Sequence, residues 1–331
     1  MADYSDLISR NTGGSDALVP EPLSASIIQE LPKQSAALSL MNKTTLGSKT
    51  MRLPVLDVLP VAYFVGGDTG MKQTSLQGWK GVNLVVEEIA TIVPVPEAYL
   101  DDADVPIWSE VQPRMVEAIG ALIDGAVFWG VSKPATWGTD IYTAAQAAGN
   151  IVQDGFIDTG TTASDDFAQS ITALGDLMSQ TGYNMNGFAA RPGLNWRLMG
   201  LRASTSGVPI FQPGQPLSDG TGLQNPTLYG YPAPMVDNGS WDATKAQLLA
   251  GDWSKAIVGI RQDMSFKLFT EGVISNDSGE VVLNLMQQDA VAMRLVMRIA
   301  YATVNPVTVM QRNKTILQRF PFGAVTTSGV S

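Results

Sequence analysis

The stretch VNLVVEEIATIVPVPEAYLDDADVPIWSEVQPRMVEAIGALIDGAVFWG, residues 82–130, decides the fold. Its first half has the β-branched density of a strand. Pro94 and Pro96 mark positions without a backbone donor, as on an edge strand or at a bulge. A DDAD turn follows, where Asp104 is placed to cap a helix with Pro106 near its first position. Trp108, Val111, Met115, Ile119, Leu122, Ala126 and Trp129 then recur at intervals of three and four. That spacing predicts one amphipathic helix roughly 35 Å long at about 1.5 Å per residue, with Pro113 kinking it early or marking where its regular part begins. The apolar stripe and sparse charge call for partners on more than one side, and other copies of the chain could supply them.

Upstream, two extended runs flank a polar, glycine-rich tip: MRLPVLDVLPVAYFV leads into GGDTGMKQTSLQGWKG, and VNLVVEEIATIV leads out. This predicts a long hairpin from Arg52 to Val93. Such a hairpin has two open edges and too little core of its own, so it should rest on a neighbouring subunit. Residues 1 to about 49 are rich in Ser, Thr, Gly and Pro, broken by the apolar groups Ile27, Ile28, Leu31 and Leu38, Leu40, Met41. They read as an arm that lies on something else, against the plainer reading of a disordered tail.

Between Ser132 and Thr270 the pattern alternates, as in a compact α/β lobe. Ser164 or Asp165 can cap a helix carrying Phe167, Ile171, Leu174 and Met178 that stops at Gly182. A short strand over 187–190 meets Pro192, and Leu194, Trp196, Leu198 and Leu201 follow on a second helix. Residues 206–239 form a long Pro- and Gly-rich excursion. AIVGIR and MSFKLF are expected to make a hairpin across Gln262 and Asp263. From Ala290 to Met310 an alternating strand puts Val291, Met293, Leu295, Met297 and Ile299 on one face. Arg294 and Arg298 share the other face with Ala292 and Val296, and are read as packing and intersubunit ion-pair residues.

Composition excludes much chemistry. The 331 residues contain no cysteine and no histidine, which removes disulfides, thiolate nucleophiles, imidazole-based triads and HExxH zinc sites. The formal net charge is −10 and no basic cluster occurs, so tight, sequence-specific nucleic-acid binding is not expected. An acidic wall around DNA remains compatible with the charge, because repulsion keeps packed DNA mobile. No basic segment followed by an apolar run opens the chain and no window has the length of a membrane span, so a soluble protein without a membrane partner is expected.

The candidate chemistry is thin. Glu87–Glu88, Asp101–Asp102 and Asp165–Asp166 are the obvious carboxylate pairs. Neighbours on a strand point to opposite faces, and aspartates ahead of helices serve caps and dipoles. Asp252 reads as a turn acid, and GGDTG lacks the lysine and the strand–turn–helix setting of a phosphate loop. No catalytic residue, cofactor or metal is expected.

In order along nearly the whole chain, the segments resemble the major capsid protein family of tailed bacteriophages, with its Hong Kong 97-type fold. LVPEPLSASIIQELPKQSAALSL is similar to the family's N-terminal arm and the 52–93 hairpin to its extended loop. VPVPEAYLDDADVPIWSEVQPRMVEAIGALIDGAVFWG is similar to the strand and spine helix of the peripheral domain. TGYNMNGFAARPGLNWRLMGLR, LYGYPAPMVDN and LLAGDWSKAIVGIRQDMSFKL look like parts of the axial domain, and QQDAVAMRLVMRIAYATVNPVTV like the closing strand of the peripheral domain. The resemblance implies an α+β chain divided into an arm (1–49), an extended loop (50–93), a peripheral domain with spine helix (94–134), an axial domain (135–271) and a returning peripheral strand with C-terminal tail (272–331).

It further implies a non-enzymatic shell subunit of the virion, assembled in the host cytoplasm. Hexamers and pentamers would form an icosahedral shell around double-stranded DNA. Contact candidates are Ile27, Ile28 and Leu31 on the arm, Lys72, Trp79 and Lys80 on the loop, and Arg294 and Arg298 on the closing strand. Some members join loop lysines to an asparagine before the closing strand. Here Lys72 and Lys80 could donate, but the acceptor place holds Asp289, and Val296 falls where a catalytic acid is wanted, so non-covalent joints are expected. The arm begins almost at Met1, without room for a fused scaffolding region of ~100 residues. A scaffold is therefore expected as a separate chain, beside portal and decoration proteins as further partners. Two alternatives stand: an encapsulin-like compartment of the same fold, and a histidine-independent carboxylate hydrolase, which should elute as a small oligomer.

Overall fold

The computed structural model describes residues 35–66, 70–103, 106–154, 167–199, 227–276, 278–311 and 319–327. Two four-stranded sheets and one long helix organise them. The first sheet has the order β1-β10-β13-β4, from β1 (Asn42–Thr45), β4 (Glu87–Pro96), β10 (Ala256–Phe269) and β13 (Ala290–Thr303). The second has the order β5-β14-β9-β6, from β5 (Ile151–Gln153), β6 (Gly187–Ala190), β9 (Ala246–Gly251) and β14 (Phe322–Thr326).

The expected helix is present as α3 (Ile107–Trp129). It runs through Pro113 near its start and ends at Gly130, whose φ of +72° is the left-handed conformation that glycine adopts without a Cβ penalty. Met115, Ile119, Ala126 and Trp129 are buried as the spacing predicts, and Trp108 and Val111 pack at the margin. Leu122 is instead exposed and Ile123 takes its place in the core, a one-residue rotation of the stripe. Two local expectations are corrected. The first two residues of DDAD, Asp101 and Asp102, end a separate short helix, α2 (Glu97–Asp102), and Pro106 itself occupies the cap position of α3 without a side-chain bond. Asp104 lies outside the described residues.

β4 is an edge strand, as its prolines require: Pro94 and Pro96 pair in register with Ala292 and Ala290 of β13 alone. The alternation of β13 places Met293, Leu295, Met297, Ile299 and Tyr301 in the same core as the inner face of α3. The run 82–93 is not one strand. β2 (Thr50–Val58) pairs antiparallel with β3 (Gly78–Val85), and the chain then breaks at Val86 before entering β4. The hairpin therefore roots on the outer face of the first sheet, where Leu53, Val82, Leu84 and Val86 pack with Leu46, Ala300 and Ala302.

The expected hairpin across Gln262 and Asp263 is also corrected. Residues 256–269 are one strand, and the polar step RQD sits at two register shifts around Gln262 opposite β13, a bulge rather than a turn. The end of the arm departs from expectation too. α1 (Ala36–Leu40) and β1 lie on the body of their own chain, β1 parallel to β10, with Ala36, Ala37, Met41 and Leu46 buried.

In the second sheet, β14 is a central strand, antiparallel to β9 and parallel to β5. β14, in the C-terminal segment expected as a peripheral tail, is thus part of the second sheet, while β10 belongs to the first. A two-stranded ribbon, β7 (Thr227–Leu228) with β8 (Tyr231–Pro232), lies beside β6, and both faces of this sheet are covered. α4 (Ile141–Ala148), capped by Asp140, packs with Leu249, Phe322 and Ala324. α5 (Phe167–Gln180) brings Phe167, Ile171, Leu174 and Met178 against Phe188, Leu248 and Val325. Ser164 and Asp165 lie outside the described residues, whereas Gly182 follows the helix with φ +80°. α6 (Leu194–Met199) buries Leu194 and Leu198 but leaves Trp196 in solvent, and Leu201 is outside the described residues.

Candidate assembly surfaces

Between β2 and β3 the described chain, residues 59–66 and 70–77, forms no regular element. Two bonds hold its limbs side by side: the Val61 N–H donates to Ser75 Oγ at 2.7 Å, and the Tyr63 hydroxyl donates to the Gln73 carbonyl. This loop concentrates exposed apolar side chains. Phe64 is fully exposed, Met71 is 91% and Leu76 73% exposed, with Val61 and Tyr63 beside them. Scattered exposed apolar residues are ordinary, but a group of them on one protruding segment marks an interaction surface.

The root of the loop is held firmly. The Val307 N–H donates to the Leu56 carbonyl at 2.9 Å, and the buried Arg319 guanidinium reaches Asp57. The loop is therefore a projection from a fixed base.

Trp79 lies in β3 opposite Leu56 and is 66% exposed, and Lys80, opposite Val55, is exposed on the other face of the ribbon. Arg52 lies across Gly81, its guanidinium filling the space a side chain there would need. Lys72 is exposed on the loop itself. Ile27, Ile28 and Leu31 lie outside the described residues.

On the closing strand, Arg298 pairs within its own chain. Its Nη2 is 2.6 Å from Glu88 Oε2, and Nε donates to the same oxygen at 2.8 Å, in an exposed pair. Arg294 sits half-buried with its guanidinium 4.8 Å from the centre of the Phe269 ring. The two arginines thus share a face, as the alternation predicts, but not a site. Glu87 accepts from the Thr136 hydroxyl at 2.6 Å, so the Glu87–Glu88 carboxylates serve different partners. Asp252 is a turn acid: it accepts from Ser254 N–H and Oγ and from the Asn186 amide at 3.0 Å.

A second exposed apolar surface escaped the sequence reading. The ribbon of β11 (Val273–Ser275) and β12 (Val281–Asn284) exposes Val273, Val281 and Val282, with Met286 just beyond. Its turn was marked in the sequence by Asn276, whose side chain accepts from the N–H groups of Ser278 and Glu280 at 3.0 and 2.9 Å. Behind it, Ile274 and Leu283 pack with Leu285, Ala290 and Ala292.

Among the described residues no group of three acidic side chains could hold a metal ion, and no helix is long and apolar enough to cross a membrane. Burial pushes the Tyr183 phenol up to about 12, with Arg319 opposing and Asp252 adding to the shift. Burial also raises Tyr301, with Asp140 adding to it.

Comparison with known proteins agrees with this architecture. The model of the phage capsid family matches residues 15–311. The major capsid protein of Staphylococcus phage 80alpha is 23% identical over 292 residues, covering 86% of this chain and 81% of that protein. A solved chain from Microbacterium phage Oxtober96 is 36% identical and superposes with a TM-score of 0.79 over 98% of this chain and 100% of its own. One from Mycobacterium phage Bobi is 30% identical with a TM-score of 0.82, over the same shares. The two-sheet body, the spine helix and the projecting loop are therefore those of a Hong Kong 97-type shell subunit, and this chain belongs to the phage capsid family as a phage major capsid protein.

Proposed function

We propose that the chain assembles as hexamers and pentamers into an icosahedral shell around double-stranded DNA, without catalytic activity of its own. The observation that carries this is the loop between β2 and β3: its root is tied down by Arg319 and Val307, while Phe64, Met71 and Leu76 are left uncovered by the described residues of their own chain. Exposing that apolar area is unfavourable at about 25 cal/mol per Å², and a second copy is the simplest cover. The β11–β12 ribbon is a second contact of the same kind. Many modest contacts around a closed shell add through multivalency.

The net charge of −10 supports a container that holds DNA without gripping it. The joints are non-covalent in this reading. Joining a lysine amine to an asparagine amide expels ammonia, and Asp289, at the acceptor place, has no ammonia to lose. Assembly takes place in the host cytoplasm, with portal and decoration proteins as further partners.

Electron microscopy of the purified full chain tests this: closed shells or ring-shaped capsomers of five and six copies are expected. A monodisperse small oligomer at assembly concentrations would overturn it. Nuclease-protected DNA in particles from infected cells, rather than protein cargo, separates the phage shell from an encapsulin-like compartment. A denaturing gel of particles should show one band near the monomer mass.

A further inference from the structure

The spine helix α3 carries one fully buried charged side chain, Asp124, at 0% exposure. Its Oδ1 accepts the Ser35 hydroxyl at 2.6 Å and the Ala37 N–H at 3.0 Å. Its Oδ2 accepts the Ala36 N–H at 3.0 Å and the Asn238 side-chain amide at 2.7 Å. The groups that face it are neutral donors, and each oxygen accepts twice, an arrangement that a carboxylate satisfies and a carboxylic acid does not. Burial raises the pKa of this group, and the four bonds oppose the rise.

The donors come from two remote segments. Ser35, Ala36 and Ala37 open α1, and Ser35 also caps that helix by accepting the Leu38 N–H at 3.1 Å. Asn238 belongs to the turn before β9 and is held by Ser240, whose N–H and hydroxyl donate to its side-chain oxygen. One helical turn before Asp124, a Cβ at Gly120 would come within 3.3 Å of the Ser35 nitrogen, so bare backbone is what lets the arm cross the spine helix so closely. α1 has five residues, far below the ~12–15 at which an isolated helix begins to hold in water. Its seat depends on what it is tied to.

We propose that Asp124 is the positioning residue that seats the described end of the N-terminal arm: its carboxylate ties α1 and the 236–240 turn to the spine helix, fixing where the chain at Ser35 meets that helix. It acts through the arm. Its consequence for shell geometry rests on the assembly reading above, whereas the seating itself does not.

Hydrogen exchange on the full-length subunit, wild type against Asp124→Asn, tests the seating. The Asn variant keeps the shape but turns an NH2 toward two donors. Amides of residues 36–41 should exchange about tenfold or more faster, while peptides of β9 and β13 keep wild-type protection. Wild-type exchange at 36–41 would overturn the proposal, as would loss of protection spread equally over β9 and β13. Should that variant fail to fold, Gly120→Ala, which presses on Ser35 alone, should speed exchange at 36–38 and leave 236–240 unchanged. Asn238→Ala, which leaves the three arm donors in place, should loosen 236–240 and spare α1. The reverse result with either variant contradicts the seating. Shells formed by Asp124→Asn should be irregular in size, and regular shells from a variant with a loosened α1 would refute the fixing role. Failure of wild type to form shells would count against the assembly reading and leave the exchange result to decide the anchor.

Discussion

Arg319 reaches Asp57 across 262 residues of chain: its Nη2 lies 2.5 Å from the Asp57 carboxylate and its Nη1 donates to the Asp57 carbonyl at 3.2 Å. The arginine is buried, three residues before β14, a central strand of the second sheet. Asp57 lies in the last turnings of β2, where the projecting loop begins. One side chain thus fastens the root of the loop to the second sheet, while Leu53 and Val82 fasten it to the first. The loop's base is fixed by the fold.

Replacing Arg319 with Met should cost about 1.5–3 kcal/mol, the range of hydrogen bonds to charged groups, toward the lower end because Asp57 is a third exposed and water can take over there. Chemical denaturation of the variant subunit measures it.

The Arg197–Asp154 pair should be more costly to break. The side chains are 10% and 0% exposed, the contacts are 2.6 and 2.9 Å in a two-pronged geometry, and the guanidinium also lies 4.7 Å from the Phe167 ring centre. Asp154→Ala should lose about 3–5 kcal/mol, because a buried cation loses its counter-charge. A midpoint shift in urea with an unchanged slope is the expected reading.

Trp79→Ala should separate folding from assembly. With the indole 66% exposed, the subunit should lose no more than about 0.5 kcal/mol, yet shell formation should fall sharply. A thermal melt and electron microscopy on the same sample distinguish the two, and unfolded protein would count against the assignment.

Gly251→Ala should prevent proper closure of the second sheet. A Cβ there would lie 2.5 Å from the Pro321 carbonyl oxygen and 2.4 Å from the Phe322 ring, in the strand pairing that carries β14. Backbone cannot yield as a flexible side chain does, so destabilisation of about 3 kcal/mol or more is expected, read as reduced soluble yield and an early melt.

Alkaline pH should weaken the subunit through Tyr183. Its hydroxyl donates to the Pro306 carbonyl at 2.8 Å, and burial lifts its pKa from 10.0 to about 12. Below pH 10 both states keep the proton. Above it the unfolded chain releases a proton that the native state still holds, so stability falls as pH rises through the folded value. Tyr183→Phe should flatten part of that slope, and Tyr301, also raised, should keep the rest.

Much of this was legible beforehand, for physical reasons. The spine helix announces itself by a 3.6-residue apolar period, and β4 by prolines that only an edge strand tolerates. Phe167–Gln180 and Gly187–Ala190 were legible by their periodicity and their breakers. β14 was not: FGAVT is short and buried on both faces, so it shows no alternation. β10 was mistaken for two strands because its bulge carries RQD, residues that ordinarily mark a turn. The split between β3 and β4 falls at Val86, within an extended run that carries no Gly or Pro breaker, so pairing partners decide it. Of the candidate contacts, Trp79, Lys72 and Lys80 lie at exposed positions, while Arg298 already has a partner in Glu88. The seating of the arm depends on Asp124, a charge on the helix's buried face that periodicity alone treats as noise.

Oxidative footprinting of Met71 reaches the central claim most directly, since this side chain is 91% exposed in the lone subunit and sits on the loop that a neighbouring copy is held to cover. Labelling the dissociated subunit and the intact particle in parallel should show strong oxidation of Met71 in the former and protection in the latter. Equal oxidation in both states would mean that the loop stays uncovered in the shell, and would contradict this account.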